Sequence, residues 1–399
     1  MVDLKSFADE AQKYLDVLQG IRRELHQIPE FGLELPKTLA RILESVGDLG
    51  EVHLGKDLTG AALVIRGGQP GPTVLLRSDM DALAVIEDTG LSFASTNGFM
   101  HACGHDLHMA MSIGAAHLIH THREHLKGDV VLWFQPGEEG HGGADVMLAE
   151  NLHLVSGSKP IAAYGVHVFS SYPKGMFGSR PGALMSSAGG FTANFKGSGG
   201  HGSMPWLSKD PITPMTEAIS SLQSAINKRL DVFDPVVVNV GWVKAGDDHT
   251  ENVIPETASF GATVRTFSRA HSSQIQTVVT DVLENIAKIY GVEVEVEWLP
   301  ATKVLMNNAD AITRSRKIIE ELFGPNRYWD MPTPMAGGED FASVLDEIPG
   351  AFIFMGACPE DVDTSTAATN HSNKAIFDDE VLPQGAAFLA AMAFDTLNS

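Results

Sequence analysis

The sequence has 399 residues, 44% of them hydrophobic, which is enough to bury a large core and predicts about two domains. Its formal net charge of −22, from 28 basic and 50 acidic residues, excludes nucleic acid and anionic membrane surfaces as partners. Two cysteines make no disulfide framework, the first residues are typical of a helix rather than a targeting peptide, and no apolar run could span a bilayer. We therefore expect a cytoplasmic protein.

In the first and last parts of the chain, short apolar runs alternate with helical patterns. The predicted strands are 61–66, 73–78, 129–135, 161–168 and 351–355, and the predicted helices are 9–27, 37–47, 106–126, 310–323 and 380–397. This alternation predicts an α/β domain built on a mainly parallel sheet. We assign residues 1–186 and 299–399 to this catalytic, metal-binding domain.

The segment between these two parts has a different order of elements. It runs strand, helix (211–230), strand, strand, helix (270–290) and strand, with alternating apolar residues in each strand. This β-α-β-β-α-β order is that of a ferredoxin-like sandwich. We expect residues 187–298 to form a separate domain inserted into the larger one.

Polar residues stand where the predicted strands of the larger domain end. They are "SDMDAL" after 73–78, "PGEEG" after 129–135, His167 at the end of 161–168 and "NHSNKAIFDDE" beyond 351–355. In open α/β sheets the ligand site lies beyond the carboxyl ends of the strands. These loops are therefore expected to meet in one crevice.

The stretch "MHACGHDLHMA" (100–110) places a cysteine among several histidines. A thiolate grouped with imidazoles suits zinc, cobalt, nickel or manganese. Cys103 and His105 flank a glycine, so both can face one point, and we predict them to be metal ligands. The other histidines of this region are expected to be supporting or structural: His101, His108 and His117.

Adjacent carboxylates in "PGEEG" complete the predicted chemistry. They could form a solvated acidic corner, but they directly follow a very apolar strand, which favours the crevice. We predict Glu139 as a metal ligand and Glu138 as the general base that takes a proton from water. Asp79 and Asp81 of "SDMDAL" are predicted to orient a ligand imidazole.

Seven segments carry a resemblance to a known family. They are "RRELHQIPEFGLELPKT", "LLRSDMDAL", "MHACGHDLHMA", "FQPGEEG", "GVHV", "GGHGSMP" and "NHSNKAIFDDE". In this order they resemble the hippurate hydrolase, or N-acyl-amino-acid amidohydrolase, family of dinuclear metallopeptidases, which includes indoleacetyl-amino-acid hydrolases. The resemblance implies two divalent metal ions, with the thiolate of Cys103 as their bridge, and Glu138 as the base. The implied ligands are Cys103, His105, Glu139, His167 and His371.

The resemblance also implies a substrate site shared with the inserted domain. His201 of "GGHGSMP" would reach the scissile carbonyl. Asn252 and Arg265 would bind substrate, and Arg265 would contact the carboxylate of the amino-acid product. Gly338 of "MAGGEDFA" would line the same crevice with its backbone. The inserted domain would act as a lid and dimerisation domain, giving a homodimer or homotetramer.

Two positions depart from the pattern of the resembled family. Trp206 stands where histidine is usual, and Ala84 stands where proline is usual. Neither is a predicted ligand, so the reaction class is unaffected and the substrate preference is open. A large apolar face at Trp206 favours aromatic or bulky acyl groups.

The resulting function is hydrolysis of the amide bond of N-acyl or N-aroyl amino acids to a carboxylic acid and a free amino acid. Alternatives with the same metal site are a dipeptidase and an N-acetyl-amino-acid deacetylase. A cysteine hydrolase, with Cys103 as nucleophile and His105 as base, would leave the acidic pair without a role. A binding protein without turnover would not need Glu138.

Overall fold

The computed structural model describes residues 3–399, so the first two residues of the predicted catalytic domain lie outside the described residues. The chain forms two compact units. The first comprises the chain up to Leu184, Met306–Thr333 and Asp340–Ser399, and the second comprises Met185–Leu305 and Pro334–Glu339. The second unit therefore interrupts the first.

The strands of the described chain are, in order, β1 (Glu51–Leu54), β2 (Ala61–Arg66), β3 (Gln69–Asp79), β4 (Lys127–Gln135), β5 (Ala162–Pro173), β6 (Phe177–Ser179), β7 (Gly182–Met185), β8 (Ser187–Lys196), β9 (Gly200–His201), β10 (Val236–Ala245), β11 (Val253–Ile254), β12 (Thr257–Thr266), β13 (Glu293–Trp298), β14 (Leu305–Asn307), β15 (Tyr328–Asp330) and β16 (Gly350–Cys358). The α-helices are α1 (Ser6–Gln12), α2 (Leu15–Gln27), α3 (Pro36–Val46), α4 (His105–His122), α5 (Gly143–Ala149), α6 (Ile212–Arg229), α7 (Arg269–Tyr290), α8 (Ala309–Phe323), α9 (Phe341–Glu347) and α10 (Leu382–Asn398). Short 3₁₀ turns lie at Arg123–His125, Leu152–Leu154, Pro205–Leu207 and Asp379–Val381.

An eight-stranded sheet forms the centre of the first unit, in the order β1-β2-β4-β3-β5-β16-β6-β15. The strands that carry the site pair in parallel, β3 with β4, β3 with β5, and β5 with β16. The pairs β1–β2, β2–β4 and β6–β16 are antiparallel. The edge pair β6–β15 is parallel. The predicted mainly parallel sheet is thus present, with antiparallel pairing at β1, β2 and between β6 and β16.

Two helices of the first unit are buried along most of their length. In α4 the residues from His105 to Ala116 are all buried, and in α10 almost every residue from Leu382 to Phe394 is buried. A side chain at Gly114 of α4 would press against Ala386 of α10, so the two helices approach closely. Small residues at the contact let α4 lie deep in the core, which fixes the position of its first turn.

The second unit has a four-stranded antiparallel sheet in the order β10-β12-β8-β13. Helices α6 and α7 pack on this sheet, and their apolar stripes form one core with Phe191, Phe195 and Phe260. Together these elements have the predicted β-α-β-β-α-β order. The edge strands of this sheet are β10 and β13.

One predicted helix was wrong in its extent. Residues 9–27 form two helices, α1 and α2, with turn residues Lys13 and Tyr14 between them. The apolar spacing continues through this break because both helices pack on the same core. None of the helices in the described part of the chain combines the length and apolar character that a membrane crossing requires.

Candidate metal centre

Parallel strands bring three loops and one strand residue of the first unit to the same end of the sheet. β3 ends at Asp79, Glu138 follows the end of β4, and His167 lies within β5. His371 lies beyond the end of β16, the parallel neighbour of β5. Because the carboxyl ends of parallel neighbours point the same way, the polar residues meet there.

The turn before α4 places two of the donors. Gly104 has a φ of 86°, in the left-handed region, and α4 begins at the next residue. A side chain at this glycine would clash with Cγ2 of Val168, so glycine serves both the turn and the close approach. The turn sets Cys103 and His105 on either side, with exposed fractions of 7% and 0%.

The donor atoms fall into two groups that share one residue. Cys103, His105 and His167 offer donor atoms that all lie within 4.8 Å of one another, and so do those of Cys103, Glu139 and His371. The Cys103 Sγ is 3.4 Å from Nε2 of His167 and 3.2 Å from Nε2 of His371. Nε2 of His371 lies 3.2 Å from Oε1 of Glu139. The thiol therefore stands between the two groups.

Backbone carbonyls orient two of the imidazoles. Nδ1 of His105 donates to the carbonyl oxygen of Asp81 at 2.8 Å, and Nδ1 of His167 donates to that of Val168 at 2.9 Å. These hydrogen bonds orient the two rings and leave Nε2 of each ring as the atom that could bind a cation. Such bonds commonly fix the tautomer of a metal-binding histidine.

The residues present fit a pair of divalent cations. Among the described residues, Nε2 of His105 is a buried atom without a hydrogen-bond partner. Leaving a buried polar atom unsatisfied costs free energy, and coordination would satisfy it. A thiolate, imidazoles and a carboxylate are the donor set expected for zinc and for similar first-row cations.

Two imidazoles of the cluster differ in protonation, and this difference affects metal binding. Hydrogen bonds to Cys103 and Glu139 raise the pKa of His371 to about 10, so without a cation this imidazole carries a proton. Burial holds the pKa of His167 well below its usual range, so this ring is neutral. A cation that binds here must displace the proton of His371, so the affinity for the cation decreases as the pH is lowered.

Asp81 holds the acidic loop with its carboxylate and the imidazole of His105 with its backbone carbonyl. Its carboxylate oxygens accept hydrogen bonds from the backbone N–H groups of Glu138 and Glu139, each at 3.0 Å. Its backbone carbonyl, not its carboxylate, accepts from His105. Glu138 itself is 9% exposed, and its carboxylate lies in one group with His105 and Glu139.

Asp79 pairs with Arg77 and with His108, a residue whose contacts the sequence did not reveal. Nδ1 of His108 donates to Asp79 at 2.6 Å, and Nε2 of His108 accepts the backbone N–H of Val168 at 2.8 Å. Burial alone would lower the pKa of His105, but the nearby Asp79 carboxylate raises it well above its usual range. His108 stands three residues after His105, on the same face of α4, and that spacing was the available signal.

The remaining polar residues of "MHACGHDLHMA" belong to the interior of the first unit. Asp106 pairs with Nε of Arg22 at 2.7 Å and with Nδ1 of His26 at 2.8 Å. His101 is 1% exposed, and burial lowers its pKa to about 4. Beyond this stretch, in the same helix, His117 donates from Nε2 to the carbonyl of Ser45 at 3.1 Å.

In the second unit, a short ribbon brings His201 and Asn252 together. His201 of β9 pairs with Val253 of β11, and the N–H of Gly202 donates to the carbonyl oxygen of Asn252 at 2.7 Å. The His201 side chain is exposed, and its Nδ1 accepts from the hydroxyl of Ser203 at 2.9 Å.

The other predicted substrate residues lie elsewhere in this unit. Arg265 lies on β12, and its guanidinium donates to Oγ1 of Thr263 and to the carbonyls of Gly189 and Val264. Trp206 lies in a 3₁₀ turn with 74% of its surface exposed. The backbone at Gly338 packs so closely on other residues of the unit that a side chain there would clash.

Comparison with known proteins places this geometry in context. The sequence pattern of the family described as Peptidase family M20/M25/M40 matches residues 75–395. An IAA-amino acid hydrolase ILR1-like 2 from Arabidopsis thaliana is 36% identical over 391 residues, covering 96% of this chain and 85% of the relative. An N-acetylcysteine deacetylase from Bacillus subtilis is 35% identical over 387 residues, covering 96% and 97%.

A solved structure gives the same result. The crystal structure of a dinuclear metal-binding peptidase of the M20 family from Bacillus subtilis superposes with a TM-score of 0.83, at 30% identity, covering 97% of this chain and 99% of that one. These matches confirm the predicted family, the α/β fold, the enzyme class of metal-dependent amidohydrolase and the pair of divalent metal ions.

Proposed function

The chain belongs to the peptidase family M20/M25/M40, and on this premise we propose that it cleaves the amide bond of N-acyl and N-aroyl amino acids at the cluster around Cys103. The products are a carboxylic acid and a free amino acid. The relatives that act on N-acetylcysteine and on an IAA-amino acid support this substrate class.

The observation that carries the proposal is the sharing of Cys103 by two donor groups. One cation would be held by Cys103, His105 and His167, and the other by Cys103, Glu139 and His371. A thiolate common to both would bridge the cations and offset part of their charge. The sulfur is then a ligand and not a nucleophile. When bound, two such cations polarise the amide carbonyl and lower the pKa of water.

Glu138 is the proposed general base. Its carboxylate lies beside His105 and Glu139 but outside the two groups that contain Cys103. It takes a proton from the attacking water and later returns that proton to the leaving amine nitrogen. Asp81 holds Glu138 in place through the backbone of the loop.

We further propose that residues of the second unit take part in binding substrate. His201 donates to the oxyanion of the tetrahedral intermediate, and its exposed imidazole is available for this role. Arg265 and Asn252 bind the carboxylate and backbone of the amino-acid part, and Gly338 lines the site with its backbone. Trp206, with 74% of its surface exposed, favours aromatic acyl groups over acetyl.

We place the protein in the cytoplasm and as a homodimer, or a homotetramer built from such dimers. Both described cysteines are free, which suits a reducing compartment. The second unit would serve as lid and dimerisation domain. Its edge strand β10 exposes apolar side chains, as discussed below.

Metal removal tests the proposal. The protein is dialysed against a chelator and assayed with N-benzoylglycine and with N-acetylated amino acids, before and after addition of manganese, zinc, cobalt or nickel. We expect activity to disappear with the metals and to return with at least one of them, with higher kcat/KM for the benzoyl substrate. Activity that survives complete metal removal would exclude the two-metal mechanism and favour a cysteine hydrolase.

A further inference from the structure

Four segments far apart in sequence supply the proposed ligands, and one amide side chain in the His371 segment contacts two of the others, those of Cys103 and His167. Asn370 lies next to His371, 267 residues after Cys103 and 202 residues after Val168. It is partly buried. It is the first residue of "NHSNKAIFDDE", but that motif indicated a role only for His371, because an asparagine in a loop is an ordinary turn residue.

The amide nitrogen of Asn370 joins the loop of Cys103 to strand β5. Its Nδ2 donates to the carbonyl oxygen of Cys103 at 3.2 Å and to that of Val168 at 2.9 Å. The Val168 carbonyl also accepts from Nδ1 of His167, which orients that ring. One carbonyl thus receives both the amide and the imidazole, so a shift of Asn370 moves the acceptor that orients His167.

The amide oxygen of Asn370 completes the frame. Its Oδ1 accepts from the backbone N–H of Ser170 at 3.0 Å. The Ser170 hydroxyl lies 3.1 Å from the same oxygen and donates to the carbonyl of Ala368 at 2.7 Å. Both N–H groups and the oxygen of the amide are therefore used. A flipped amide would point its N–H groups at an N–H and its oxygen at two carbonyls, so the contacts admit one orientation.

The backbone beside Asn370 is held in an uncommon conformation. His371 has a φ of 70°, in the left-handed region that non-glycine residues seldom occupy, and its N–H donates to the carbonyl of Ala102 at 2.9 Å. Such a conformation persists only where its surroundings impose it. The bonds of Asn370 and the bond from His371 to Ala102 together impose it.

We propose that Asn370 is a positioning residue, whose amide fixes Cys103, His167 and His371 in the arrangement that two cations need. Its Nδ2 also lies 3.9 Å from the Cys103 sulfur, so the amide packs beside the thiol as well. The inference rests on the ligand set of the proposed function. It concerns how tightly the cluster binds metal, and not a contact with substrate.

The test measures metal affinity directly, in metal-free protein titrated with Co²⁺. Binding is followed by the thiolate-to-cobalt charge-transfer absorption in the presence of a competing chelator, well below the thermal midpoint of each variant. At such temperatures a general loss of stability does not change the affinity of the folded protein. We expect Asn370→Ala to weaken cobalt binding about 10- to 100-fold, as is typical when a group that orients a ligand is removed.

A matched control and a second variant sharpen the test. Asn373 lies in the same loop with an exposed side chain, and Asn373→Ala should bind cobalt as the wild type does. Asn370→Asp keeps the shape but turns an acceptor towards the two carbonyls, so a positioning role predicts weaker binding here too. It also carries the test if circular dichroism shows that the alanine variant does not fold.

The outcomes separate this inference from the proposed function. Wild-type affinity and absorption in Asn370→Ala, or tighter binding in Asn370→Asp, would overturn the role of Asn370 alone. Cys103→Ser should abolish the charge-transfer absorption. If the absorption survives in Cys103→Ser, the ligand set itself is wrong.

Discussion

At the scale of single residues, Glu138 and Glu139 are neighbours with different surroundings. Glu139 lies in one group with Cys103 and His371, whereas Glu138 lies in a group with His105 and Glu139. Asp81 accepts hydrogen bonds from both backbone N–H groups, which holds the backbone of the pair in place. The different groups support the proposed division of the two carboxylates into ligand and base.

The first prediction concerns Glu138→Gln. The amide keeps the shape of the side chain but cannot accept a proton from water, and general-base catalysis contributes about 10²- to 10⁴-fold. We expect kcat to fall by at least that factor while the metal content, measured by elemental analysis, stays at the wild-type level. A variant that loses its metals, or that keeps most of its turnover, would show that the two glutamates have the opposite roles.

Much of the cluster could be predicted from the sequence, because its residues belong to short motifs at strand ends. The hydrogen bonds of Asn370 and of His108 could not be predicted. Each depends on a backbone carbonyl or N–H near Val168, and a backbone group carries no sequence signal. The sequence led us to expect that Asp79 orients a ligand imidazole. It could not show that Asp79 binds His108, because that contact depends on how α4 packs on β3.

At the scale of elements, the turn between Cys103 and His105 links the core helix to the site. The helix α4 is fixed by burial, and Gly104 converts that fixed position into the placement of two donors. Any residue with a side chain at this turn must adopt a left-handed backbone and push against Val168.

The second prediction is therefore that Gly104→Ala destabilises the protein by about 1–3 kcal/mol, through backbone strain and overpacking. Cobalt binding should weaken as well. The control is Gly20→Ala in α2, where a side chain would meet nothing within 4 Å. It should gain roughly 0.5–1 kcal/mol in urea unfolding, since alanine favours a helix. Equal effects of the two changes would contradict this account of the turn.

A buried ion network joins α2 to the same region. Nε2 of His26 lies 3.1 Å from Glu87 and its Nδ1 lies 2.8 Å from Asp106, so both ring nitrogens face carboxylates. Burial alone would raise the pKa of Glu87, but its hydrogen bonds, that from His26 first among them, lower it to about 2. The Glu87 side chain is 0% exposed.

The third prediction gives the sign of the resulting pH dependence. Because the folded pKa of Glu87 lies below its usual value of 4.5, its contribution is present above pH 4.5 and is lost as the pH falls towards 2. Glu87→Gln should cost about 1–3 kcal/mol at pH 7 in urea unfolding of the metal-free protein, and the deficit should shrink below pH 4.5. In the control Glu44→Gln, whose side chain is 72% exposed, we expect no such deficit. A constant deficit at all pH values would refute the electrostatic origin.

The regular elements show what sequence patterns can and cannot predict. Strands with continuous apolar runs, such as β2 and β16, were predicted to within a few residues, because burial on both faces leaves a clear pattern. The short strands β6 and β15 were missed. Three residues have no periodicity, and such strands exist only because a neighbour supplies hydrogen bonds.

At the scale of the whole molecule, the two edges of the smaller sheet differ. Strand β13 alternates exposed glutamates with partly buried apolar residues, and charge on an edge strand discourages pairing. Strand β10 instead exposes Val237 (44%), Trp242 (48%) and Val243 (54%). The edge at β10 is therefore the one suited to pair with a second copy of the chain.

The fourth prediction tests the proposed dimer at this edge. We expect the wild type to sediment as a multiple of 42.8 kDa and the double variant Val237→Lys, Val243→Lys to sediment as a monomer. The control, Glu293→Gln with Glu297→Gln on β13, changes the net charge by the same amount and should stay associated. A monomeric wild type, or association lost equally in both variants, would remove β10 as the interface.

The interruption of the first unit by the second has a consequence for synthesis on the ribosome. The second unit is nearly contiguous in sequence. When all of its residues have left the ribosome, β16, His371 and the core helix α10 of the first unit have not yet done so. Domains generally fold as units during translation, so the inserted unit can be complete while the larger one is still open. The Cys103 thiol and the His371 imidazole are made 268 residues apart. The nascent chain thus carries the Cys103 thiol without its His371 partner through most of elongation. The full set of proposed ligands exists only near the end of synthesis.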